Sequence, residues 1–417
     1  MLEVVTRFGT LHLRRQVLSR KDGSHLIPAN AFLPSHEGIL ITRGVQEWAC
    51  LLPQELPFAS VARLLGWQAQ EENLLSDTTV RNLVRQHGQI IRQAEIEQAR
   101  ALLDHPNLES LRASLVVAPP RRPRFGWKPE MTEVISQALE RADSQPPKGV
   151  ISADWQRVLH ARRQEAEMPL ETLRRLGPQV QEGEVVAFVD EVLTRKTTPR
   201  QFWQLRTAKI ITPDGCRYIS GTADNFLLIL SIFLRICVVP GRSLLVVADG
   251  ARWIRSWFTA LLISLPQSQF RMDWYHLCKK SRELSCMFCH GRAAKKALLC
   301  QLFRHLWKGD VSSAITLLED YRPKARNTAE LEELILSLKE RERFIPNYGK
   351  CRRELQYIGS GQVEKANDLL VAKRQKGEAT HWSLETSDAL TALKTLILNG
   401  GWELYWRNRE VLPLVNA

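Results

Sequence analysis

The chain of 417 residues carries 58 Lys and Arg against 45 Asp and Glu, a formal charge of +13. Its 44% hydrophobic and 25% charged residues are globular averages, which disfavours a disordered, collagen-like or coiled-coil chain and leaves room for two or three domains. The positive surplus points to nucleic acid or an anionic surface as partner.

Eight Cys at irregular spacing, with no visible leader, read as reduced thiols in a reducing, cytoplasmic compartment. The longest apolar run, Phe226 to Leu234, is nine residues and is followed by Arg235. A membrane span needs about 20, so a buried helix is expected and no membrane partner.

In chain order, residues 1–50 show strand alternation at Leu11, Leu13 and Val17, with turns at Phe8-Gly9 and Lys21 to Ser24: a small β-hairpin region. Residues 51–112 are helical. Pro57 to Gly66 places Phe58, Val61, Ala62 and Leu65 on one face, and a second helix starts at Ser76 or Asp77 and runs to His87-Gly88. Thr78, Arg81, Asn82 and Arg85 fall on its outer face, the donor set that a helix-turn-helix offers to DNA, although the connection Trp67 to Leu75 is long for that motif. Two amphipathic helices with solvated basic faces are the alternative. Residues 113–150 are a connector, where Pro119 to Lys128 brings Arg121, Arg122, Arg124 and Lys128 together with Phe125 and Trp127.

From Glu184 strands and helices alternate. Val185 to Val189 is an apolar strand ending at Asp190; Phe202 to Ile211 and Arg217 to Ile219 flank the turn at Pro213-Asp-Gly215; Asn225 to Val238 is a helix. Ser243 to Ala248 is a second buried strand, ending at Asp249, and Phe270 to Met272 is a short one leading to Asp273. Residues 275 to about 345 are helical in pattern, and a final helix begins after Gly361 and stops near Gly377.

Carboxylates at the ends of neighbouring strands repel one another and are tolerated chiefly beside divalent cations, Mg²⁺ or Mn²⁺ for oxygen ligands. The runs Val247-Ala-Asp-Gly-Ala-Arg-Trp-Ile254, Met272-Asp-Trp-Tyr-His276 and Ile358-Gly-Ser-Gly-Gln-Val-Glu364, with Arg374-Gln-Lys-Gly and Trp382-Ser downstream, resemble DDE transposases of bacterial insertion sequences. The resemblance spans roughly residues 180 to 410, and the N-terminal part looks similar to the helix-turn-helix region of such enzymes. It implies an α/β RNase H-like domain, a mixed sheet flanked by helices, with its core at 151–274 and 351–417 around an all-helical insertion at 275–350. It also implies catalytic, metal-binding Asp190, Asp249 and Glu364, two Mg²⁺ or Mn²⁺ ions, and support from Trp253, Asp273, His276 and Trp382.

At the first acid the match is weaker, because related enzymes show Asp-Gly where this chain has Asp190-Glu191; Asp154 is the alternative. Around Glu364, the cations Arg352, Arg353, Lys365, Lys373, Arg374 and Lys376 are expected to meet DNA phosphates. The implied partners are element terminal inverted repeats and target DNA, bound by a dimer or higher oligomer at the nucleoid. A non-enzymatic DNA-binding protein and a nuclease that does not join DNA are the rival functions.

Cys286-Met-Phe-Cys-His290 spells a haem-attachment motif, but haem is not expected without a leader. Zinc at Cys286 and Cys289 with His290 is the stronger rival, since the three would share a face of one helix, and ordinary buried thiols are favoured over it.

Overall fold

The computed structural model describes residues 2–13, 18–19, 21–26, 35–36, 39–103, 178, 180, 183–198, 201–212, 215–377 and 380–414. Asp154, Val17 and the connector bearing Arg121, Arg122, Arg124 and Lys128 lie outside these residues.

The N-terminal hairpin is β1 (Leu2–Thr6) antiparallel to β2 (Gly9–Leu13), and it is widened into a four-stranded mixed sheet, β2-β1-β6-β5, by β5 (Ser35–His36) and β6 (Ile39–Ile41). A separate short pair joins β3 (Leu18–Ser19) to β4 (His25–Leu26). Three helices follow: α1 (Arg43–Leu51), α2 (Phe58–Ala69) and α3 (Asp77–Leu103).

Both α2 and α3 run through the glycines at which the sequence suggests they stop. Gly88 continues α3 because its bare Cα is where Ala389 packs: a Cβ there would lie 2.4 Å from that of Ala389. The apolar stripe Val80, Leu83, Val84 and Ile91 joins Val61 and Leu65 of α2 and Trp382, Leu390, Leu393 and Tyr405 from the far end of the chain in one core. The helical region is therefore fused to the C-terminal helices α12 (Leu384–Leu398) and α13 (Trp402–Asn408), two elements beyond the last helix seen in the sequence.

The second sheet has five strands: β7 (Glu184–Arg195), β8 (Phe202–Thr212), β9 (Gly215–Gly221), β10 (Ser243–Ala248) and β11 (Gln269–Met272), in the order β11-β10-β7-β8-β9. β7, β8 and β9 form an antiparallel meander, while β10 and β11 run parallel to β7. Both faces of β7 are covered, which explains its unbroken apolar run. Val185, Ala187 and Val189 meet a core built with α4 (Ala223–Cys237) and α5 (Arg252–Leu261); Val186 and Phe188 meet Val363, Ala366 and Leu370.

After β11 come α6 (Trp274–Phe288), α7 (Gly291–Trp307), α8 (Val311–Tyr321), α9 (Thr328–Arg341) and α10 (Tyr348–Arg353), the helical insertion expected from periodicity. Trp274, Trp307 and Tyr348 pack ring to ring at its root, and the Tyr348 hydroxyl donates to the Met272 carbonyl at 2.8 Å, tying it to β11. The chain then returns through α11 (Gly361–Asn367), which passes by a π turn over Asp368–Ala372 into Lys373–Gln375.

Candidate active site

Register decides which side chains stand together. In the parallel pairing Val247 lies beside Phe188, and Ala248 beside Met272. Extending the same register puts Asp190, Asp249 and Asp273 abreast on three adjacent strands at one edge of the sheet. β7 does not end at Asp190, however: it continues to Arg195, with Asp190 opposite Thr207 of β8.

The three aspartates have different duties. Asp190 is half-buried, accepts from the Glu191 amide at 2.8 Å and from Asn367 Nδ2 at 2.7 Å, and its pKa is pushed up to about 6, by burial first and by the charge of Asp249. Asp249 caps the turn into α5, Oδ1 accepting from the Ala251 amide at 2.8 Å. The turn needs Gly250, which sits at φ +75 with Met272 Sδ 2.6 Å from where a Cβ would be.

Asp273 is fully buried and fully engaged. It caps α6, with Oδ1 accepting from the amides of Tyr275 at 2.5 Å and His276 at 3.0 Å, and Oδ2 accepting from the amide and hydroxyl of Ser360 just ahead of α11. Burial raises its pKa, but the bonds from His276 and Ser360 outweigh that and hold it below the usual value. Asp273 is thus a clamp that fixes the start of α11, which carries Glu364.

His276 stands between the acids. Its Nδ1 is 3.3 Å from Asp273 Oδ2 and 4.0 Å from Glu364 Oε1; the geometry to Asp273 misses hydrogen-bond alignment, so the pair acts through charge. Its pKa is pushed up to about 9 by Asp273 foremost, against burial, with further help from Asp249 and Asp190, so the ring is cationic at neutral pH. Among the described residues, Asp273, His276 and Glu364 are the one group of three ligand types whose atoms lie within 4.8 Å of one another. Glu364 itself is exposed, on the first turn of α11.

The sequence misses Asn367 and Thr207. Asn367, buried and one turn beyond Glu364, bonds Asp190 through Nδ2, and its Oδ1 accepts from the Thr207 hydroxyl. The signal available was helical spacing: a polar residue at i+3 from Glu364 shares its face.

Several of the cations expected to contact DNA have partners within the chain. Arg85 donates to Thr386 Oγ1 at 2.7 Å and Ser383 Oγ at 3.1 Å, so it staples α3 to α12; Arg81 is half-buried and bonds Thr78, and Asn82 is half-buried beside it. Arg374 donates to the Pro53 carbonyl and lies 4.8 Å above the Trp382 ring; Lys373 pairs with Glu55 at 2.7 Å and Lys365 with Asp368 at 3.0 Å. Arg353 and Lys376 are exposed, and Arg352 is half-buried.

Trp253 packs on Phe226 under the Arg206 guanidinium, 3.9 Å from its ring centre, and Trp382 is a buried core residue. The cysteine cluster is divided by a helix break: α6 ends at Phe288, Cys289 and His290 are extended and α7 begins at Gly291, so the three side chains share no helical face. Cys286 is exposed with Lys295 Nζ at 3.1 Å, whereas Cys289 is buried. No helix among the described residues is long and apolar enough to cross a membrane. Neither a family model nor a curated protein sequence matches the chain.

Proposed function

We propose that this chain is a DDE-type DNA transposase: it binds the inverted-repeat ends of its element, cuts DNA, and joins the freed 3′ end to a target. The observation that carries this is the convergence at one sheet edge of Asp190, Asp249 and the helix bearing Glu364. Three antiparallel strands followed by two parallel ones, with acids on the central strand and the strand beside it, also support an RNase H-like core. The +13 charge of the whole chain suits a polyanionic substrate, with end and target DNA held by a dimer or larger assembly at the nucleoid.

The residues suit two Mg²⁺ or Mn²⁺ ions. The donors are carboxylate oxygens, and Asp190, whose pKa is raised by burial first and by the charge of Asp249 second, is a carboxylate whose ionised form a cation would favour. Asp190, Asp249 and Glu364 would hold the ions, whose chemistry is to activate the attacking oxygen and stabilise the leaving one. Around them, Asn367 orients the Asp190 carboxylate, Asp273 and Ser360 fix where α11 begins, and His276 holds a proton beside the acids, ready to donate to a phosphate oxygen.

The test incubates the full chain with DNA carrying its element ends, a target plasmid, and Mg²⁺ or EDTA. Joined products that disappear with EDTA and with Asp249→Asn are expected. Cuts without joining would make it a nuclease, and tight binding without either a DNA-binding protein.

A further inference from the structure

Four arginines gather on the outer side of Asp249, and the acidic site uses none of them. Arg252 is exposed in the first turn of α5 and Arg255 lies one turn on; Arg341 ends α9, and Arg343 follows in the next turn. Among the described residues, one carboxylate forms ion pairs with this group. Glu340 Oε2 is 2.9 Å from Arg255 Nη2 and 3.9 Å from Arg341 Nη1. The neighbouring Glu342 turns toward the Ser312 hydroxyl at 3.3 Å.

The arrangement has direction. Arg341 stands at its head: its Nε is buried without a partner, 3.3 Å from where a Cβ of Gly250 would be, while Nη1 is held by Ser337. A buried N–H donor left unpaired costs free energy that an incoming acceptor recovers. From there Arg252, Arg255 and Thr259 fall at helical spacing on one face of α5, covering about 10 Å along its axis. Arg343 Nη2 reaches Thr259 Oγ1 at 3.4 Å, placing a further guanidinium at the far end.

Guanidinium forks match phosphate oxygens, and a row of them beside acids offsets the repulsion a DNA strand meets there. We propose that Arg341, Arg252, Arg255 and Arg343 form a phosphate track that grips one strand of DNA and leads it to Asp249. It rests on the transposase reading for the identity of the polyanion.

The experiment uses the full chain and a fluorescein-labelled duplex carrying the element end, titrated in EDTA over a KCl series by anisotropy. Arg252→Gln with Arg343→Gln is the first variant, since Arg252 and Arg343 are both exposed and neither lies within ion-pair distance of a carboxylate among the described residues. The slope of log K against log [KCl] is expected to become shallower by about 1–2, with equal weakening on unrelated sequences. Arg341→Met is expected to lower single-turnover cleavage at saturating DNA at least tenfold, while its melting temperature, taken as the fold control, stays close to wild type. If the wild type binds and cuts DNA while the double variant keeps its slope and affinity, the track is wrong and the transposase reading stands. If the wild type binds no DNA, both fall.

Discussion

Asn367 Nδ2 stands 2.7 Å from Asp190 Oδ2, and the same amide is pinned from its other end by the hydroxyl of Thr207, the residue opposite Asp190 in the sheet. Two elements far apart in sequence thus set the angle of one carboxylate. Partners that orient a metal ligand typically change affinity or activity about 10–100-fold when removed. Asn367→Ala is therefore expected to lower cleavage by about that factor and to raise the Mg²⁺ concentration at half-maximal rate. Asn367→Asp keeps the shape but sets a second negative charge against Asp190, and it should be the worse of the two. Equal activity and equal Mg²⁺ dependence in both variants would remove Asn367 from the site.

What the sequence disclosed follows from where its signals are local. Apolar runs closing on Asp190, Asp249 and Asp273 gave three strands, although the first continues past Asp190 to Arg195, and leucine spacing gave the insertion. Gly66 and Gly88 misled because a glycine stop and a glycine that admits a close neighbour look alike until the Glu71 backbone at Gly66 and Ala389 at Gly88 are in view. The partners of Arg85 and Arg374 within the chain are hidden in the sequence for a similar reason. A basic side chain on a helix face is the same letter whether it meets phosphate or Thr386 and Trp382.

Asp190 should cost stability in metal-free protein. Its pKa of about 6, against an ordinary value of 3.8, means the ionised form is disfavoured by burial and by Asp249. At neutral pH that amounts to about 1–3 kcal/mol. Asp190→Asn, which keeps a partner for Asn367, is expected to melt higher than wild type in EDTA while losing cleavage. A lower melting temperature would mean that the carboxylate is compensated by something other than metal.

Glu55 gives a pH dependence of opposite sign. It joins Lys373, beyond the π turn of α11, to Lys394 of α12, each at 2.7 Å, and those bonds lower its pKa. A lowered carboxylate pKa adds stability that is complete above the unfolded value and fades as pH falls through the folded one. The loss therefore sits below the ordinary glutamate value of 4.5. Its side chain is 47% exposed, so the contribution is about 0.5 kcal/mol after screening. Urea melts of Glu55→Gln should differ from wild type at pH 7 and converge with it near pH 3; a gap that persists at pH 3 would show that charge is not the cause.

Gly88→Ala sets helix propensity against packing. In an exposed helix the change gains up to about 1 kcal/mol. Here the added methyl would lie 2.4 Å from Ala389 Cβ and 2.7 Å from its carbonyl oxygen. Backbone cannot swing aside as a flexible side chain does, so α3 must move from α12 as a unit. The ties between them resist that: Arg92 reaches Asp388 Oδ1 at 3.1 Å, and Arg85 reaches Thr386 Oγ1 at 2.7 Å. Overpacking of this kind costs about 1–3 kcal/mol, more than the propensity gain. Denaturant melts should show a lower midpoint for Gly88→Ala, and Ala389→Gly in the same chain should recover part of it. A higher midpoint for the single variant would mean that α3 and α12 sit further apart than 2.4 Å allows.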